Sequence, residues 1–274
     1  MNRAFGERAK DPNLGERRRA DWQLPVGVDR ALWEYTQDES IAWDYDDYFS
    51  EHHLLQMDRD FLTRHFGTPG RLVDLGCGTG RILVHFAQRG FEVVGVDLSQ
   101  QMLAVSAAKQ STLRVPLSLV RANLCELSAI RDHFFDYATC MFSTLGMIVG
   151  VKARRRALLE FHRILRPGGL LGFHLHNRWF NMTDSQGRRW LLADLFRQCR
   201  GGKDAGDKVM ANYRGIPNVR IHLFSLREIR RELAVAGFRL VEALPLAPSR
   251  DGVLRHSWCM GGWRANGWLL MART

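Results

Sequence analysis

Val73-Asp74-Leu75-Gly76-Cys77-Gly78-Thr79-Gly80-Arg81 is the stretch that decides how this 274-residue chain folds. Residues 71–75 form a short apolar run that reads as a strand. Residues 81–89 carry apolar side chains at helical spacing and stop at Gly90, so the three glycines fall on a strand-to-helix turn. Glycines there accept positive φ and let a ligand approach the backbone, while the free N–H groups of the helix start face the same point. A glycine-rich turn alone is shared by many nucleotide binders. Two details narrow it. The spacing is Gly-x-Gly-x-Gly, not the Gly-x-Gly-x-x-Gly of dinucleotide folds. Asp74 also stands just before the turn, where a pyrophosphate is repelled and an amino or sulfonium group attracted.

Downstream, strand and helix patterns alternate. Further strands are expected at 92–96, 117–121, 136–142 and 170–175, with a helix capped by Ser99 running to about 110 and another over 152–165. Short apolar strands followed by amphipathic helices predict a parallel sheet covered on both faces. The alternation lapses between Asn177 and Leu223, where glycines are scattered, the charge is basic and only 190–199 looks helical; this span reads as an insertion or cap. Order resumes at Ser225, whose spacing to Glu228 is a capping box that opens a helix ending at Gly237. Residues 238–246 and 268–271 read as closing strands. Upstream, 1–30 reads as a loose arm. A helix is expected over 50–66, begun by a Ser50 cap, with Leu54, Leu55, Met57, Phe61, Leu62 and Phe66 at helical spacing, and stopped by Gly67 and Pro69.

Composition sets outer bounds. With 46% hydrophobic and 25% charged residues the chain can build a full core, and disordered, collagen-like and disulfide-scaffold classes are excluded. No stretch approaches the roughly 20 apolar residues that span a bilayer, and residues 1–22 lack the apolar middle of a signal peptide. Five cysteines without close pairing read as reduced thiols, which points to the cytoplasm and away from a zinc site. The net charge of +10 is unevenly placed: residues 178–274 carry 17 basic and 8 acidic side chains, whereas Glu34 to Asp60 is strongly acidic. Three explanations stand for the basic third: a solvated Arg-rich surface, a polyanion-binding face, or pairing with the acidic arm.

The glycine stretch closely resembles the first motif of the class I S-adenosylmethionine-dependent methyltransferases, and the resemblance continues in order over most of 72–175. Val94-Gly95-Val96-Asp97 is similar to the second strand with its acidic end, and Ser99-Gln100-Gln101-Met102-Leu103 to the usual continuation. Phe135-Asp136-Tyr137 resembles the opening of the fourth strand, and Arg166-Pro167-Gly168-Gly169 the helix–strand turn. The resemblance implies an α/β, Rossmann-like, doubly wound and mostly parallel seven-stranded sheet with an antiparallel last strand, plus the cap insertion. It implies four parts: an N-terminal arm and helix (1–66), an S-adenosylmethionine-binding core (67–177), the cap (178–223) and a C-terminal completion of the sheet (224–274). The cofactor-binding residues it implies are Asp74, Leu75, Gly76, Cys77, Gly78, Thr79 and Gly80 in the loop, Asp97 on the ribose hydroxyls, and Leu98 and Met102 beside the adenine. Asn123 and Leu124 follow the third strand and Met141 the fourth; related small-molecule enzymes fold an N-terminal aromatic over the methyl group, a place for Tyr45 or Tyr48 here, with core packing as the alternative. Asn123 replaces the commoner Asp, so it is either an acceptor for the adenine amino group or a turn residue. Cys77, though at a helix start that lowers thiol pKa values, is taken as a packing side chain.

The fold does not name the methyl acceptor. The fourth strand ends Cys140-Met141-Phe142-Ser143, not in the Asn/Asp-Pro-Pro-aromatic tetrad of base-amine methylation, and there is no Pro-Cys dipeptide for cytosine C5 chemistry. His174 and His176 alternate on the fifth strand and share a face, so they are the candidates for a catalytic base; the alternative is one buried, hydrogen-bonded His and one at the pocket edge. No third ligand stands near them, and no metal is expected. The activity expected is direct in-line methyl transfer to the oxygen or nitrogen of a small molecule, which an anionic group would suit. An RNA or protein methyltransferase using the basic lobe, and a cofactor-binding protein without catalysis, are the alternatives. No membrane partner is expected, and the oligomeric state is left open.

Overall fold

The computed structural model describes residues 19–49, 53–201 and 205–274. Nine strands are present among them: β1 (Arg71–Leu75), β2 (Glu92–Asp97), β3 (Ser118–Arg121), β4 (Phe135–Cys140), β5 (Leu165–His176), β6 (Asp207–Tyr213), β7 (Ile216–His222), β8 (Arg239–Pro245) and β9 (Gly267–Arg273). Seven form one sheet in the order β3-β2-β1-β4-β5-β9-β8. The pairs from β3 through β5 are parallel, and β9 runs antiparallel to both of its neighbours. This is the Rossmann-like sheet with an antiparallel last strand that the sequence implies.

The helices follow from apolar spacing and caps. Those before the sheet are α1 (Arg30–Gln37), α2 (Glu39–Trp43), α3 (Tyr45–Tyr48) and α4 (His53–His65). Within it lie α5 (Arg81–Ala87), α6 (Gln100–Leu113), α7 (Thr144–Met147) and α8 (Val151–Ile164), then α9 (Ser185–Cys199), α10 (Leu226–Val235) and α11 (Gly261–Arg264). In α8, Ala153, Ala157, Leu158, Phe161 and Ile164 fall on one face and are buried against the sheet. Ser99 caps α6 by accepting the Met102 N–H at 3.2 Å. Ser225 and Glu228 form the expected capping box at the start of α10.

Four local expectations are corrected. The fourth strand stops at Cys140 rather than 142, because Phe142 and Ser143 take positive φ values of 53° and 60° and turn the chain toward α7. Arg166–Gly169 does not separate helix from strand; it is an irregularity inside β5, where the pairing with β4 shifts register. The arm is not loose over its described part, 19–30: the Val26 carbonyl accepts the Asn123 amide at 2.9 Å and the Gly27 carbonyl the Val149 N–H at 2.8 Å. Beyond it α1 to α3 follow, Asp29 accepting the Leu32 N–H at 2.9 Å and Asp38 the Ile41 N–H at 3.2 Å. The cap holds more than one helix, since β6 and β7 form an antiparallel ribbon that turns at Arg214 and Gly215, both at positive φ. The Ser50 cap and residues 1–18 lie outside the described residues.

The arm, the ribbon and α6 meet in one small apolar core containing Ile41, Ala42, Met102, Val105, Ile216 and Val219. That cluster sets a roof over the glycine loop.

Candidate active site

The sheet reverses its order of winding between β1 and β4, and a crevice forms at the carboxyl ends of those strands. A cavity of about 530 Å³ opens there. Its floor is the glycine loop, and its roof is built from α1, α3, α4 and the ribbon, through residues such as Tyr35, Tyr45, Asp58 and Tyr213.

Three glycines of the loop do different work. A Cβ on Gly76 would lie 2.3 Å from the Thr144 side chain, and one on Gly80 would lie 2.2 Å from the Ser106 hydroxyl. Those two glycines permit close packing of turn against helix. Gly78, at φ +53°, would direct a Cβ at nothing within 4 Å, on the wall of the cavity. The loop is pinned from beneath by the Gly76 and Cys77 N–H groups, which donate to the Val96 carbonyl at 2.8 and 3.0 Å.

Asp97 ends β2 beside this gap. Its Oδ2 accepts the Gly78 N–H at 2.8 Å, and its Oδ1 accepts the Ser99 N–H at 2.8 Å. Burial pushes its pKa up, and hydrogen bonds from the Ser99, Gly78 and Leu98 N–H groups oppose that. Each oxygen keeps a second lone pair, so the carboxylate is fixed in place and still able to accept from a vicinal diol. Asp74 is buried under the loop, and its Oδ1 accepts the Thr139 hydroxyl at 2.6 Å. Burial pushes its pKa up to about 7, against the Thr139 hydrogen bond, and the nearby Asp97 adds to the rise. Two carboxylates close together in a dry site are a poor place for an anion and a favourable one for a cation.

The other expected residues divide. Cys77, Thr79, Leu98, Met102, Leu124, Met141 and Tyr45 line the cavity. Leu75 and Gly80 do not: Leu75 is in the sheet core, and Gly80 is the left-handed residue before α5. Burial, with Asp97 and Asp74, pushes the Cys77 thiol well up, overriding any lowering by the helix start. Asn123 lines the cavity, but its amide donates to the Val26 carbonyl at 2.9 Å and its Oδ1 accepts the Cys125 N–H at 3.1 Å, which is the turn role. The Tyr45 ring lies between two guanidinium groups, Arg81 at 5.5 Å and Arg214 at 5.3 Å.

His174 and His176 share a face, with rings 5.9 Å apart, but neither is on the cavity wall. Burial, aided by His174 and Arg250, pushes His176 down to about 3, so it is neutral at pH 7 and a weak base. His174 is fully buried with Nδ1 at 2.9 Å from Asp58 Oδ1. Asp58, which does line the cavity, was not among the expected residues. One signal marked it: a carboxylate on the buried face of α4, among Leu54, Phe61 and Leu62. Arg59 and Arg81 were missed for the opposite reason, being ordinary surface residues by pattern. Both line the cavity, and Arg59 Nε and Arg81 Nη1 are buried without a hydrogen-bond partner. Among the described residues no three His, Cys, Asp or Glu side chains are grouped to hold a metal ion, and no helix is long and apolar enough to cross a membrane.

Sheet order, glycine loop and the carboxylate at the end of β2 together define the class I S-adenosylmethionine-dependent methyltransferases. Residues 72–169, which carry the loop and that carboxylate, match the family model of the methyltransferase domain. A protein from Geobacillus sp. (strain WCH70), named as a methyltransferase, is 32% identical over 145 residues, which are 52% of this chain and 58% of that one. A ubiquinone biosynthesis O-methyltransferase from Chromobacterium violaceum is 30% identical over 138 residues, 50% of this chain and 58% of its own length. The chain thus matches little more than half the length of these relatives. Among solved structures, a methyltransferase from Methanosarcina mazei superimposes with a TM-score of 0.61 at 20% identity, covering 78% of this chain and 96% of the other. The 1,6-didemethyltoxoflavin N1-methyltransferase of Burkholderia thailandensis gives 0.57 at 20% identity, covering 86% and 84%.

The cofactor of the class is S-adenosylmethionine, and the residues present suit it. The Gly78 gap admits a ligand against the backbone, Asp97 offers two acceptors, and Asp74 sits where a cationic group is favoured.

Proposed function

We propose that this chain is an S-adenosylmethionine-dependent methyltransferase acting on a small molecule by direct in-line displacement. The observation that carries this reading is the open space at Gly78 against the fixed carboxylate of Asp97. When bound, the cofactor supplies a methyl group activated by a sulfonium. Asp97 holds the ribose hydroxyls, Leu98 and Met102 flank the adenine, and Asp74 anchors the cationic amino end. Arg59 and Arg81 bring positive charge for anionic groups in the cavity, the cofactor carboxylate among them. Tyr45 and Phe142 close the reacting side and exclude water, so that alignment of nucleophile and methyl group provides much of the rate.

A small acceptor is favoured because helices α1, α3 and α4 and the ribbon roof the cavity, and because two arginines of the basic third are taken up by acids of the arm. Arg214 pairs with Asp44 and Arg220 with Asp29. Those pairs weaken the RNA reading.

The test is incubation with methyl-labelled cofactor and, separately, a metabolite extract, total RNA and total protein. Label entering the small-molecule fraction supports the reading. Label entering only RNA or protein overturns it.

A further inference from the structure

We propose that Asp58 is the carboxylate that takes the proton from the acceptor, that His174 is its positioning residue, and that the acceptor atom is therefore a hydroxyl oxygen. This rests on the methyltransferase reading above and deepens it.

Asp58 is 2% exposed and on the cavity wall, so it is shielded from bulk water yet open to a bound ligand. The one side-chain hydrogen bond of Asp58 among the described residues is to His174, through Oδ1 at 2.9 Å. In the role proposed Asp58 is a carboxylate, which only accepts, so its donor is the Nδ1–H of His174. His174 Nε2 is buried with no partner, which leaves the ring no other polar task. The Phe142 ring, which lines the cavity, packs edge-on against His174 at 5.9 Å and holds it in place. This is a buried donor fixing one oxygen of a carboxylate while the other is left for something else.

The chemistry of the step selects the acceptor. A hydroxyl oxygen attacks the methyl carbon with a lone pair; the O–C bond forms and the C–S bond breaks, its electron pair going to sulfur to leave a neutral thioether. The attacking oxygen becomes oxonium-like, far more acidic than a carboxylic acid, so its proton passes to Asp58 as the bond forms. Carboxylate goes to carboxylic acid, and charge balances. An amine that reaches the site neutral needs no such group, because its product keeps every proton as an ammonium, and one that arrives as ammonium is disfavoured beside the Arg59 guanidinium on the same wall. The next residue, Arg59, also lines the cavity with Nε buried and without a partner, while its Nη2 donates to Gln56 Oε1 at 2.6 Å. A hydroxyl compound with an anionic substituent satisfies both.

The probes are 3,4-dihydroxybenzoate and 4-hydroxybenzoate with methyl-labelled cofactor, with S-adenosylhomocysteine binding measured by calorimetry on every variant. Asp58→Asn is expected to lower kcat about 100-fold or more with binding of S-adenosylhomocysteine unchanged, and Asp58→Glu to recover part of the loss. His174→Leu is expected to lower kcat about tenfold, and His174→Asn, which keeps a donor at the position of Nδ1, to restore it. If Asp58→Asn does not fold, the two His174 variants decide. Binding of S-adenosylhomocysteine by wild type without methylation of either probe, methylation at any atom other than a hydroxyl oxygen, or full activity of Asp58→Asn overturns the proposal and leaves the cofactor assignment standing. Failure of the wild type to bind S-adenosylhomocysteine instead overturns the methyltransferase reading itself.

Discussion

Asp46 in α3 accepts the hydroxyl of Thr79, in the glycine loop, at 2.6 Å. The same carboxylate pairs with Lys109 of α6, whose ammonium also donates to the Thr79 carbonyl at 2.8 Å. The N-terminal arm is thereby tied to the loop it covers. Acidic residues on the arm meet basic ones on the core and the ribbon, as Asp44 with Arg214 at 2.9 Å also shows.

The roof is therefore expected to loosen when Arg214 is replaced. Its guanidinium packs over Tyr48 at 4.6 Å and Tyr45 at 5.3 Å as well as pairing with Asp44. Arg214→Ala should increase proteolysis within 30–48 several-fold in the presence of cofactor. In wild type, protection at low salt should fade at high salt, because the Asp44 end of the pair is open to solvent and salt screens it. An arm cut equally fast in both proteins and at both salt levels contradicts this.

Gly76 and Gly78 should fail in different ways. Gly76→Ala places a Cβ 2.3 Å from Thr144 and should lower Tm, with binding lost only as folding is lost. Gly78→Val meets no clash with the fold, so its stability cost is that of a side chain at φ +53°, roughly 1–2 kcal/mol, or a few degrees in Tm. Cofactor binding by Gly78→Val should be abolished. Thermal melts together with calorimetry separate the two outcomes.

Asp74 gives a pH signature. Folding raises its pKa from 3.8 to about 7, so its neutral form favours the folded state at low pH, and that contribution is lost as pH rises through this window. Asp74→Asn should raise the Tm of the free protein at pH 8 and leave it unchanged near pH 3. Affinity for the cofactor should nevertheless fall, by roughly 1.5–3 kcal/mol, with the loss of a charged hydrogen-bond partner. A variant no more stable at pH 8 than wild type contradicts the assignment.

The basic third should not bind RNA steeply. A phosphate-binding face loses affinity linearly in log salt with a slope of about −0.7 per contact on single strands. With Arg214 and Arg220 paired to the arm and the cavity roofed, filter binding between low and physiological salt should show weak association and a shallow slope. Tight binding with a steep slope returns the RNA reading.

Much of this architecture was legible because its signals are local. The Val73–Gly80 turn, the acidic end of β2, the Ser99 cap and the Ser225–Glu228 box each use residues within a few positions of one another. What escaped either used a residue atypical for its local role or needed partners distant in sequence. The β6–β7 ribbon turns on Arg214-Gly215, and an arginine at positive φ is not the Asn-Gly or Asp-Gly that marks such hairpins. The short arm helices are capped by Asp29 and Asp38, which in the sequence register only as net charge. Alternation along β5 correctly put His174 and His176 on one face but could not say that Asp58, 116 residues earlier, stands between His174 and the cavity.

The most direct test of the central claim is calorimetric titration of the purified protein with S-adenosylmethionine, wild type against Asp97→Ala. Saturable one-to-one binding by wild type, weakened in the variant by roughly 2–3 kcal/mol, or about 30- to 150-fold, is the predicted result. Equal affinity in the two proteins removes Asp97 from the site, and no binding by wild type contradicts the account.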